Sequence, residues 1–236
     1  MITHTPEISP LVRARVAGSL YLIANLFAPF TLLYLPSRFI VRGDAAGTAN
    51  NVIASESLFR LGIVGNLFTF IANIFLALAL YQLLKVVNKN MAALMVILFL
   101  LGVPIAMLNE LTQLAILQLL GGADYLSAYP TDQLQALAYL LLRLHDQGLL
   151  IAHIFFGLWL LPMGTLVFKS GFIPKIVGVL LVIAGVGYVV QSFAAFLGYN
   201  VNIIVFTGLG ELVFLLWLLI KGVKAELWQK RALESV

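Results

Sequence analysis

Residues 91–120 read MAALMVILFLLGVPIAMLNELTQLAILQLL, and Glu110 is the one charged side chain among them. A bilayer-spanning α-helix takes roughly 20 mostly apolar residues at about 1.5 Å rise each, so this stretch crosses a membrane with several turns in excess. Working outward, further apolar stretches fall at about 14–35, 58–84, 132–168, 175–198 and 203–220. Turn and breaker signals separate them: Pro36 after the first, Lys85 to Asn90 before the third, Gly121, Gly122 and Pro130 before the fourth, and Lys169 to Lys175 before the fifth. The expected fold is all-α, a polytopic transmembrane helical bundle of about six spans forming a single domain over residues 1–236. The third and fourth helices outrun the hydrocarbon and are expected to extend beyond it on the outer side.

Composition agrees with this reading. Of 236 residues, 62% are hydrophobic and 10% charged, which leaves too little polar surface to clothe a soluble globule and no room for a second, soluble domain. The stretch at 14–35 is longer than a signal-peptide core and no small-residue cleavage site follows it, so it reads as an uncleaved span. Residues 36–55, rich in Gly, Ala and Asn, read as a loop, with Ser55 or Ser57 placed to cap the helix that follows. There is no cysteine, which excludes disulfides, thiolate metal sites and a cysteine nucleophile. No Walker loop, dinucleotide fingerprint, Asn-x-Ser/Thr sequon or lipidation motif occurs, so no cofactor, glycan or lipid anchor is expected.

The formal charge of +4 reflects topology. Placing Arg13, Arg15, Lys85, Lys89, Lys169, Lys175, Lys221, Lys224, Lys230 and Arg231 on one side leaves only Arg38 and Arg42 in opposite loops. Both termini are then cytoplasmic, in a cytoplasmic (inner) membrane, with the lipid bilayer as the main partner and no nucleic acid. A weak internal repeat relates Arg60 and Lys85 to Arg143 and Lys169, which would make helices two-three and four-five a parallel duplication.

Helical rise converts distance from the basic turns into depth, and this sorts the polar residues into two layers. At roughly 30 to 39 Å fall Arg60, Asn109, Glu110, Arg143, His145, Asp146 and Gln147, with Gln113 just beyond. At roughly 15 to 28 Å fall Asn25, Asn66, Asn73, His153, Gln191 and Glu211. Burying a charged carboxyl such as Glu211 in a span costs on the order of several kcal/mol, so it must be neutral, paired or wet. It reads either as a ligand or proton site or as a structural Glu bonded to Asn25, Asn73 or a tyrosine. Arg143 reaches Asp146 and Gln147 at i+3 and i+4, and Asp146 shares a face with His153. That set is either a pocket or a salt-bridge network joining helix ends. Gly178, Gly185 and Gly187 give the fifth helix a small face for close packing.

The strings Gly43-Asp44-Ala45-Ala46, Ser55-Glu56-Ser57-Leu58-Phe59-Arg60, Leu142-Arg143-Leu144-His145, and Gly157-Leu158-Trp159-Leu160-Leu161-Pro162 through Phe168-Lys169-Ser170-Gly171-Phe172 carry a likeness. Over about Arg13 to Lys224 the chain resembles the integral-membrane family known as domain of unknown function 4386. The resemblance implies a bacterial multi-span protein and brings no activity, substrate or cofactor with it. Arg60, Arg143, His145 and Trp159 lie inside the strings that carry it.

The leading expectation is an outward-opening polar pocket between helices two, three, four and six that binds a small or lipid-like ligand for transport or sensing. Its ligand-binding residues are Arg60, Glu110, Arg143, His145, Asp146, His153 and Glu211. The arginines engage an anionic or carbonyl group, Glu110 and Asp146 orient them, and His153 and Glu211 form the floor. An intramembrane hydrolase is the rival, with His145, His153, Asp146 and Glu110 around a metal or water. No zinc-binding spacing supports it, and a Ser192–His153 nucleophile pair is weaker still. A structural or accessory subunit is the third reading.

Overall fold

A computed structural model describes residues 9–199, 201 and 204–234 and, among them, is built from helices. The start of the sixth span at 203 and the last two residues of the tail fall outside the described residues. Helices α1 (Pro10–Ala24), α2 (Leu35–Phe39), α3 (Ala45–Ala54), α4 (Glu56–Leu84), α5 (Lys89–Leu120), α6 (Thr131–Ser170), α7 (Lys175–Phe196), α8 (Ile204–Ile220) and α9 (Ala225–Glu234) follow in order. Four of these, α4, α5, α6 and α7, are long and apolar enough to cross a membrane, and Gly208–Ile220 is a shorter apolar segment. Helices α4, α5, α6 and α7 start and stop within about two residues of the apolar stretches at 58–84, 91–120, 132–168 and 175–198.

Exposed side chains explain what solvates these helices. On α7, Ile176, Val179, Ile183, Val186, Val190 and Phe193 are all exposed, and on α4 so are Leu61, Val64, Phe68, Ile71, Phe75 and Leu78. Steps of three and four draw each set into one stripe running the length of its helix. Water does not tolerate stripes of this extent on a folded chain, and lipid does. The protein is an α-helical membrane protein.

Two stretches differ from expectation. The stretch expected to span unbroken over 14–35 is interrupted: α1 ends at Ala24, and a π-helical turn, Phe30–Tyr34, leads into α2. Pro29 offers no N–H, so the backbone reconnects through Ala28 N–H to Asn25 O and Thr31 N–H to Phe27 O. The expected loop 36–55 contains α3. Asp44 caps it, Oδ1 accepting from Gly47 N–H at 2.8 Å, and Thr48 is buried with its hydroxyl on the Val41 and Asp44 carbonyls. Ser55 closes α3, and α4 starts at the next residue, Glu56.

The chain divides into two compact units. In the second, formed by Ala24–Ile71 and Val103–Ala152, Phe39, Val52, Phe59, Ile63, Ile116 and Ala138 make one buried cluster. Phe39 and Phe59 meet edge to face at 5.3 Å, and Gly43 N–H reaches the Tyr139 hydroxyl at 3.0 Å. The C-terminal turns of α5 and the N-terminal turns of α6 thus pack against α2 and α3 within this unit.

The first unit, Met1–Ile23, Ala72–Gly102 and His153–Val236, is organised by close helix approach. A Cβ on Gly164 would stand 2.6 Å from the Gly178 carbonyl, and one on Gly157 2.7 Å from that of Gly185. Glycines seven apart on α6 meet glycines seven apart on α7, the small-residue packing expected of the fifth helix for Gly178 and Gly185. Gly187 is also buried. Gly210 of α8 approaches the Leu180 carbonyl in the same way, at 2.6 Å. From α9, buried Trp228 donates from Nε1 to Leu83 O at 2.8 Å, and the Arg13 guanidinium stands 5.7 Å from the centre of its ring.

Candidate functional site

The candidate residues fall into both units. In the second, Asn66 of α4 donates from Nδ2 to Oε1 of Glu110 at 3.1 Å. Glu110 is 2% exposed, and its Oε2 has no hydrogen-bond partner among the described residues. That oxygen decides the chemistry of the cluster, because a buried polar atom in a membrane is normally satisfied.

The neighbouring turns of α5 hold His145 of α6, itself buried. The Thr112 hydroxyl donates to Asn109 O at 2.7 Å and lies 3.1 Å from His145 Nδ1. Nδ1 also faces Asn109 Nδ2 at 3.1 Å and Asn109 O at 3.3 Å, so its role as donor or acceptor follows the tautomer. The other ring nitrogen, Nε2, lies 2.9 Å from Gln113 Nε2. Asn109 Nδ2 donates to the His145 carbonyl at 2.8 Å. Gly148, one turn along, makes this approach feasible, since a Cβ there would overlap Asn109 Oδ1.

Arg60 is exposed and bound to Glu56 at 2.7 Å, one turn back on α4. Arg143 and Asp146 are exposed, and no ion pair joins them among the described residues. The expected orientation of Arg60 and Arg143 by Glu110 and Asp146 is not what the side chains do. Local i,i+4 geometry gives Arg60 a nearer carboxylate than any partner on another helix.

In the first unit, Tyr21 of α1 donates its hydroxyl to Oε2 of Glu211 on α8, and Tyr188 of α7 hydrogen-bonds the same carboxyl. The Glu211 carboxyl is thus hydrogen-bonded to two tyrosines. The His153 ring lies against Tyr188 at 5.6 Å and Phe156 at 6.2 Å. Ser192 donates back to the Tyr188 carbonyl at 2.9 Å, the usual recourse of a hydroxyl inside an apolar helix.

Metal ligation was expected of none of these residues, and the rival hydrolase drew on His145, His153, Asp146 and Glu110. Among the described residues no group of three or more His, Asp or Glu side chains gathers. His145 and His153 belong to different units.

Sequence reasoning missed Thr112 and Gly148, and it did not name Tyr21 or Tyr188. The signal for the first was present: Asn109, Glu110, Thr112 and Gln113 crowd polar groups into little more than one turn of an apolar helix. Nothing local marks the tyrosines, which lie 190 and 23 residues from the carboxyl they bind.

Comparison with known proteins agrees with the likeness read from the sequence strings. Residues 16–222 match the family described as "Domain of unknown function (DUF4386)". An uncharacterized protein of Archaeoglobus fulgidus is 35% identical over 163 residues, covering 69% of this chain and 84% of its own length. A chain this similar occurs in an archaeon, so the likeness does not by itself make the protein bacterial. No solved structure matches. With nearly its whole length matched, the chain belongs to the DUF4386 family.

Proposed function

We propose that this protein is a six-pass membrane protein with both termini in the cytoplasm, and that the polar cluster of its second unit binds a small polar or lipid-like ligand. Helix α1 with the π-helical turn after it, and α8, supply the first and sixth passes. The ends of α5 and α6, capped by α2 and α3, form the part on the outer side. Glu110 Oε2 carries this reading: a buried acceptor with no hydrogen-bond partner among the described residues, on the stretch of α5 whose Asn109, Thr112 and Gln113 engage His145. Exposed Arg60, Arg143 and Asp146 stand on the same unit as charged groups for the approach of a ligand. His153 and Glu211 belong to the first unit.

The test is native mass spectrometry of protein released from mild detergent. A bound small molecule or lipid is expected on the parent, lost from both Glu110→Gln and Arg143→Ala. Retention of every adduct by both variants overturns the ligand reading.

A further inference from the structure

We propose that Glu110 is an exchangeable proton site, loading and releasing one proton at Oε2 while Asn66 holds Oε1. The inference deepens the reading of the same cluster and rests on it. Its basis is an inventory of hydrogen-bond capacity. Asn66 Nδ2 donates to Glu110 Oε1, Asn109 Nδ2 to His145 O and the Thr112 hydroxyl to Asn109 O, while Gln113 Nε2 lies 2.9 Å from His145 Nε2. Each of these groups is engaged within the cluster, and none of them reaches Oε2. The atom left over is Oε2, buried and unmatched among the described residues. A proton is the smallest species that changes its state without repacking the helices.

Hydrogen bonding decides which oxygen takes it. In a carboxylic acid the carbonyl oxygen is the better acceptor, and Oε1 already accepts from an amide, so Oε1 keeps the carbonyl character and Oε2 the hydroxyl. Loading forms one O–H bond at Oε2 with a proton from hydronium and leaves water; release is the reverse, and no other reactant is needed. Asn66 is a positioning residue. The groups on the packed elements leave the exchange to Glu110 itself. From α4, Asn66 is neutral and Arg60 is held by Glu56. From α6, the His145 ring is engaged at both nitrogens, while Arg143 and Asp146 are exposed. No cation pairs with Glu110 among the described residues, so nothing locks it as a salt bridge. Glu211, whose carboxyl is engaged by two tyrosines, is the internal contrast.

The experiment is infrared difference spectroscopy of the full-length protein in lipid nanodiscs, stepped from acidic to alkaline pH. The expected result is a protonated-carboxyl C=O band that fades on alkalinisation and is lost in Glu110→Gln. In Asn66→Ala the band is kept and moves to higher wavenumber, because the carbonyl loses its donor. Glu110→Asp, which keeps the acid, serves if the Gln variant elutes as an aggregate, and there the band shifts. A band that persists unchanged in the Glu110 variants, or a spectrum without a titrating carboxyl, overturns the proposal. If Glu110→Gln loses the band but keeps every bound adduct, the proton site stands and the ligand reading falls; loss of adducts without a titrating band gives the reverse.

Discussion

Gly148 shows how one missing methyl group positions a polar cluster. Adding a Cβ there would drive it into the Asn109 amide, which bonds the His145 carbonyl and helps enclose the His145 ring. Overpacking a fitted interior typically costs about 1–3 kcal/mol. Gly148→Ala is therefore expected to lower the thermal unfolding midpoint in detergent, and pairing it with Asn109→Ala should recover most of the loss. An unchanged midpoint for the single variant would mean that α5 and α6 do not approach as closely as described. The residue scale also shows why some sequence readings of charge were incomplete. Depth along a helix placed Arg60 and Glu110 in one layer, yet layer membership does not specify rotation, and Arg60 turns to Glu56.

At the scale of elements, the glycines of α6 and α7 set how near two helices can lie. A Cβ on Gly178 would meet the Gly164 carbonyl at 2.5 Å, a backbone atom that no rotamer change can move aside. Gly208 has nothing within 4 Å of the same position. Gly178→Ala should lower the unfolding midpoint clearly, by an amount corresponding to about 1–3 kcal/mol, while Gly208→Ala should leave it unchanged or slightly higher. Equal effects from the two would contradict the close packing of α6 and α7. Helix α3 makes a complementary point. Gly47, Asn50 and Asn51 give it poor intrinsic propensity, and a helix this short is marginal alone. Its stability comes from Val52 in the buried cluster, the Asp44 cap and Asn51 Nδ2 on Phe39 O at 3.3 Å. Composition therefore reads as loop where packing makes helix.

For the whole molecule, the absence of cysteine turns the proposed topology into a direct measurement. Tyr125, in the turn between α5 and α6, and Lys89, at the start of α5, are both exposed. A Tyr125→Cys variant should react with a membrane-impermeant maleimide on intact cells. Lys89→Cys should react only after the membrane is opened. The opposite pattern would invert the chain, and labelling of both on intact cells would break the six-pass arrangement.

The sequence by itself determined the class of solvent and the limits of the long apolar helices α4 to α7, though not the break after Ala24 or helix α3. Apolar run length, turn residues and basic flanks are local properties, and each is legible within a window of one helix. The strings from Gly43 to Phe172 also carried the family. Only the tertiary structure decided which polar groups meet. Asn66 and Glu110 are 44 residues apart, Tyr21 and Glu211 are 190 apart, and Trp228 closes on Leu83 across 145. In lipid every buried polar group competes for few partners, and the choice depends on the rotation and crossing of helices. Those are set by glycine contacts and side-chain shape between distant segments, and no window of sequence contains both sides of such a contact.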